Sequence, residues 1–260
     1  MFNNTRSCPK LQKITQVPLA LLLVCMFLAC NQKTTEEPLV IQESKPENIE
    51  ELRSKTALIV KKDPVQAKEN YDKIIRMDTT GGSVATASAY LNLANLYEDK
   101  FGNLDSAVIF ANRSIRTFEN LRDSSNICQT MNYTASLFMR KKEYENAEQM
   151  YLQALHIYGL MEFEPGLALT KLNLAKCLSA NGENEKAEIH YLASAHFYRE
   201  NNKQVKLFTA NNFGIKLMDE MRSKDKIEKL LTENKKILKE TKINSFHKRT
   251  FQKLLEKLDL

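Results

Sequence analysis

Few side chains in this sequence have the types and spacing that chemistry needs. The four histidines, His156, His190, His196 and His247, are scattered. His190 and His196 lie six apart, on different faces of one helix, so no convergent metal site is expected. Glu162 and Glu164 read as acids near a helix start, where the macrodipole favours them, rather than as an acid–base pair. There is no phosphate-binding glycine loop, dinucleotide fingerprint, HExxH or nucleophile elbow. The five cysteines (Cys8, Cys25, Cys30, Cys128 and Cys177) form no CxxC or zinc spacing. Asparagine is the polar residue that recurs regularly. Asn92, Asn132, Asn173 and Asn212 stand about 40 apart, with Asn95 a turn beyond Asn92. Each amide offers a donor and an acceptor, which suits gripping a peptide backbone. Binding rather than catalysis is the expectation, with no cofactor.

Cys30 is set apart by what precedes it. Arg6, Lys10 and Lys13 form a positive stretch with no acid before residue 36, and Val17 to Ala29 is almost unbroken apolar sequence. A core this short suits a secretory signal better than a membrane-spanning helix. Its end, Phe27-Leu28-Ala29-Cys30-Asn31, resembles the lipobox of bacterial lipoproteins, with Phe27 in place of the usual Leu. The resemblance implies cleavage before Cys30 and lipidation of its thiol. The alternatives are a plain signal cut near Ala29 or an uncleaved anchor. Asn31, where Asp often retains lipoproteins at the inner membrane, favours the outer membrane, facing the periplasm or the cell surface. Residues 30–46, polar with Pro38 and Pro46, read as a lipidated N-terminus and flexible tether reaching roughly 20 Å.

Positioning any site falls to a repeat. Ala67, Ala107, Ala147, Ala187 and Ile227 are spaced by 40; four residues after each come Tyr71, Ala111, Tyr151, Tyr191 and Leu231, and eight after come Ile75, Ile115, Leu155, Ala195 and Lys235. A fixed period of this size means stacked units that bury their apolar faces against neighbours. The pattern predicts helix pairs at 47–61 and 64–78, 84–100 and 104–121, 125–141 and 144–160, 166–181 and 184–200, and 204–221 and 224–240. A capping helix follows at 244–258. Asp63 before Pro64 reads as an N-cap, and Gly102-Asn103 and Asn181-Gly182 as turns. Gly214 alone is expected inside a helix. Cys128 and Cys177, eight positions out of register on neighbouring first helices, are expected to stay unbridged.

These residues resemble the tetratricopeptide repeat (TPR), whose pattern is an aromatic, Leu-Gly-x-x-Tyr, then Ala-x-x-x-Phe on a second helix. The matches are Tyr90…Leu93-Ala94-x-x-Tyr97 with Ala107; Tyr133-Thr134-x-x-Leu137 with Ala147-x-x-x-Tyr151; Leu174-Ala175-x-x-Leu178 with Ala187-x-x-x-Tyr191; and Phe213-Gly214-x-x-Leu217 with Ile227. The units are 40 rather than 34 long, and the closing proline is missing. The resemblance implies an all-α, right-handed superhelical array of about five helix pairs over 47–240, with residues 241–260 as the cap and 1–29 as the signal. It also implies that the asparagine ladder (Asn92, Asn132, Asn173 and Asn212) faces a concave groove. Asn95 and Asn132 match the asparagines of that family's carboxylate clamp. Leu91, Leu169 and Asn173 stand where its basic residues would be, so a C-terminal carboxylate is not the expected ligand.

Charge narrows the partner. Residues 30–200 hold 20 basic and 24 acidic side chains, and residues 201–260 hold 15 and 8, so the basic excess sits at the C-terminal end. An acidic partner or anionic surface there, or a solvated lysine-rich face, fits this balance; export argues against nucleic acid. The expected function is a lipid-anchored scaffold or adaptor that binds a protein or peptide at the bacterial envelope. An outer-membrane assembly-type lipoprotein, or a sensor component acting through a separate signalling partner, is the alternative.

Overall fold

The structure, a computed structural model, describes residues 48–79 and 82–258. The expected signal, Cys30 and the tether lie outside the described residues. Among the described residues eleven helices follow one another: α1 Ile49–Ile59, α2 Pro64–Met77, α3 Val84–Asp99, α4 Leu104–Asn120, α5 Ser124–Arg140, α6 Tyr144–Leu160, α7 Glu164–Ala180, α8 Asn184–Glu200, α9 Gln204–Glu220, α10 Lys224–Glu240 and α11 Ser245–Lys257. No strand occurs among the described residues. Each helix packs mainly on the next, and α11 closes the stack against α9, where Phe251 meets Phe208 with ring centroids 5.3 Å apart.

The underlying period is half the one visible in the sequence. From α4 to α10 every helix has 17 residues. Among the described residues those with positive φ are Gly102, Arg122, Lys142, Glu162, Gly182, Asn202 and Arg222, one every 20 positions. Each follows a helix and reverses the chain. At α4, the Arg122 N–H donates to Glu119 O (3.0 Å) and the Asp123 N–H to Phe118 O (3.0 Å). That pair of bonds is a Schellman closure, which satisfies carbonyls the helix leaves open. It recurs at α5 through Lys142 and Glu143, at α6 through Glu162 and Phe163, and on to α9 through Arg222 and Ser223. Glu162 is the reversal residue two positions before α7, and Glu164 opens that helix, so both lie near a helix start as expected. Asp63 caps α2 as expected, accepting from the Gln66 N–H at 2.9 Å.

The repeating alanines and the residues one turn on from them form the core. Ala67, Ala107, Ala147 and Ala187 are wholly buried, as are Tyr151 and Tyr191. The stripe continues seven residues on; the position eight on is buried at Ile115 and Ala195 and half-buried at Ile75 and Leu155. Ile74, Ser114, Ala154, Ser194 and Asn234 are all at 0% exposure, whereas Lys235 is exposed. Seven steps of 100° return within about 20° of the starting face, and eight overshoot by about 80°. Gly166 and Gly159, expected at boundaries, lie inside α7 and α6. Gly166 and Gly214 admit the aromatic side chains of the preceding second helices: a Cβ at 166 would come within 2.7 Å of Tyr158, and one at 214 within 2.3 Å of Tyr191. Cys128 and Cys177 are free and buried, and they bond different carbonyls, those of Ala154 and Tyr144. They stand fifth in α5 and fourteenth in α7, nine positions apart rather than the eight expected.

Candidate functional site: the inner face of the first helices

The first helices of successive pairs touch, α5 with α7 and α7 with α9, whereas no two second helices pack comparably. The stack therefore curves toward α3, α5, α7 and α9, and their solvent-facing rows line the inside.

Which residues form those rows depends on register. The buried triads Thr134-Ala135-Leu137, Leu174-Ala175-Cys177 and Gly214-Ile215-Leu217 are 40 apart, but their counterpart on α3 is Leu93-Ala94-Leu96, offset by 41 from α5. The cause is the turn after α3. There the Asn103 N–H reaches back six residues to Tyr97 O, whereas that of Glu143 reaches back five to Phe138 O. One row is thus Asn92, Tyr133, Asn173 and Phe213. The next is Asn95, Ser136, Lys176 and Lys216.

The five sequence-derived asparagines consequently divide. Asn92 and Asn95 are exposed and Asn173 is half-buried; none makes a side-chain hydrogen bond among the described residues. Asn92 and Asn95 line a cleft of about 370 Å³ between α1 and α3, with Tyr71, Ala57, Val60 and Lys61. Asn132 and Asn212 belong to a neighbouring row and turn toward the protein. The Asn132 Nδ2 donates to Cys128 O and to Thr170 Oγ1 of α7, both at 2.9 Å, and its Oδ1 is buried without a partner. Asn212 is 7% exposed and accepts from Asn234 Nδ2 at 2.9 Å. The structure thus brings Asn92 and Asn95 together on one cleft, sets Asn173 in the same row as Asn92, and uses Asn132 and Asn212 to join helices.

Electrostatics differ along the face. At the α3–α5 end Glu98 is neutralised: it accepts from Tyr133 Oη at 2.8 Å and pairs with Arg140. Burial, and then the bond to Glu98, push the Tyr133 hydroxyl well above the usual tyrosine range. At the α7–α9 end the row carries Lys176 and Lys216, and neither has an ion-pair partner among the described residues. Sequence reasoning missed this pair, although its spacing of 40 was a readable signal. The outer side is tied differently. Arg199 grips Glu233 through Nε and Nη2 at 2.8 and 3.0 Å, and Lys226 pairs with Glu188, both bridging α8 and α10. Glu233 also joins a buried chain running Tyr191 Oη–Asn211–Glu233 and Asn211–Asn234–Asn212.

Of the histidines, His190 is held below the ordinary range, by burial first and then by Lys171. Among the described residues no three His, Cys, Asp or Glu side chains gather as a metal site requires. No described helix is long and apolar enough to cross a membrane.

No family model matches this chain, and no curated protein does. Solved structures do match. BtubC (BKLC) from P. vanneervenii is 18% identical, covering 75% of this chain and 83% of that one, with a TM-score of 0.66. The TPR-like repeats of a putative kinesin light chain from Podosopora anserina are 14% identical over 76% of this chain and 100% of that one, at 0.61. The C-terminal part of a TPR repeat-containing protein from Cytophaga hutchinsonii is 15% identical, covering 79% and 74%, at 0.57. At such identities the likeness speaks for the fold alone. That fold is the superhelical array of TPR-like helix pairs, closed by a C-terminal capping helix.

Proposed function

We propose that this chain is a lipid-anchored scaffold which binds a protein or peptide partner along the inner face of its first helices, at the bacterial envelope. The observation that carries this reading is a set of open amides in two adjacent rows: Asn92 and Asn173 in one and Asn95 in the next, with donors and acceptors uncommitted. An extended backbone has both in alternation, so it can pair with successive amides where a compact surface cannot. The Leu28-Ala29-Cys30 junction supports the anchor, and residues 31–46 supply the reach from the bilayer to the array.

Two measurements test the reading. Photo-crosslinking from position 92 or 173 in intact cells should trap a discrete partner, and Asn92→Ala with Asn95→Ala should weaken its capture by about 1 kcal/mol per lost bond without changing helix content. Unchanged capture would remove the groove as the binding site. For the anchor, Cys30→Ser should release the chain from the membrane fraction; retention with normal processing would exclude lipidation at Cys30.

A further inference from the structure

Lys176 is half-buried on the inner side of α7 and makes no hydrogen bond or ion pair among the described residues. Lys216 holds the same position one pair later on α9, and α7 packs directly on α9. Burial, and after it the Lys216 ammonium, hold Lys176 below the ordinary lysine range. Neither ammonium forms an ion pair among the described residues, although Asp219 and Glu220 lie one turn beyond Lys216 on α9. The positions a turn away from Lys176 on its own helix are Leu172, Asn173, Ser179 and Ala180, none of them acidic. Glu220 accepts from Ser179 Oγ at 3.3 Å and stays charged, but it is exposed and makes no ion pair with either lysine. Several cations elsewhere on the array are paired, Arg140 with Glu98, Lys141 with Asp105 and Glu143, Arg199 with Glu233 and Lys226 with Glu188, while others stand at exposed positions without an ion pair; what sets Lys176 apart is that it is half-buried beside a second ammonium.

Lys176 is half-buried and Lys216 exposed, so the like charge of Lys216 adds to the cost of burying the Lys176 ammonium, a cost that a glutamine at 176 would spare. An anion arriving between them would relieve that cost, and its own desolvation would be met by two charge-assisted bonds. Asn173 and Phe213, in the adjacent row, offer an amide and a ring to whatever continues on either side.

We propose that Lys176 and Lys216 jointly hold an internal acidic side chain, Asp or Glu, of an extended partner segment lying across α7 and α9. The inference rests on the groove reading above and adds the partner's chemistry. One carboxylate has an oxygen for each ammonium, so no free chain terminus is needed.

The test is a displayed library of random 12-residue peptides, panned on the wild-type protein. Enriched sequences are then made with amidated C-termini and measured by fluorescence anisotropy. The expected peptides share an internal Asp or Glu. They bind K176Q/K216Q at least tenfold more weakly and lose affinity between 50 and 300 mM NaCl only with wild type. Thermal unfolding shows that K176Q/K216Q folds at least as stably as wild type, so weaker binding is not loss of fold. Peptides that are weakened by N92A/N95A but bind K176Q/K216Q as tightly as wild type would overturn the acidic-partner inference and leave the groove reading standing. If neither pair of substitutions moves binding, both readings fall.

Discussion

A methyl group at position 214 would sit 2.3 Å from Tyr191 Cζ, while one at position 159 would meet nothing within 4 Å. Two glycines in helices of equal length therefore respond oppositely to the same change. Gly214→Ala forces Tyr191 out of a wholly buried site and should cost about 1–3 kcal/mol. Gly159→Ala restores helix propensity at an open position and should gain about 0.5–1 kcal/mol. The reversal residues add a third case. Arg122, Lys142 and Glu162 hold φ between 52° and 61°, a region where a side chain is strained. Lys142→Gly should raise stability by about 0.5–1 kcal/mol, whereas Gly182→Ala at the equivalent turn should lower it by about 1 kcal/mol. Urea titration of helical circular dichroism separates all four. The sequence showed Gly214 inside a helix but not why; the reason is a ring contributed from 23 positions earlier in the chain.

Helix starts differ along the stack in a way that stability can read. Asp63, Ser83, Asn103 and Asp123 each accept from a first-turn N–H, whereas Glu143, Phe163, Glu183, Lys203 and Ser223 make no such bond. Asp123→Ala should cost about 1 kcal/mol, and Lys203→Asp, at a backbone of similar shape, should recover about as much. The α8–α10 tie carries a pH dependence. Hydrogen bonding to Arg199 holds the Glu233 carboxyl below its ordinary value, against burial. Its contribution is therefore complete above the ordinary glutamate range and is lost as pH falls through the lower folded value. Glu233→Gln should flatten that part of the acid limb of a stability–pH curve; an unchanged limb would show that the tie contributes nothing. Helix spans were legible from the sequence to within two residues, because a 20-residue half-period with repeated apolar positions leaves little choice. The asparagine row was less so. The turn after α3 takes one residue more than the others, and that single residue moves Asn132 and Asn212 out of line with Asn92 and brings Asn173 into line with it. Nothing local in the sequence marks it.

For the whole molecule, thiol chemistry tests covalent processing and folding together. Cys128 and Cys177 are buried, and burial pushes each thiol up to about 11. Neither should react with iodoacetamide at pH 8 in the folded array, and both should after denaturation. The lipidated chain then yields two reactive thiols, a chain cut before Cys30 without lipid yields three, and an unprocessed chain yields five. The count separates three N-terminal outcomes in one titration. The inner side was named in outline through the resemblance to the TPR, which sets the asparagine slot on the groove, but the unpaired cations were not legible, since pairing depends on which carboxylates reach across helices. The seven reversals spaced by 20 also govern how the chain can change length over generations. Gain or loss of 40 residues keeps every downstream first helix on the inside and alters the groove by one helix pair, about 10 Å. Gain or loss of 20 exchanges lining for backing from that point on and erases the binding face while preserving every helix. Viable kin of this chain should thus differ in length by whole pairs, as a ruler is cut only at its graduations.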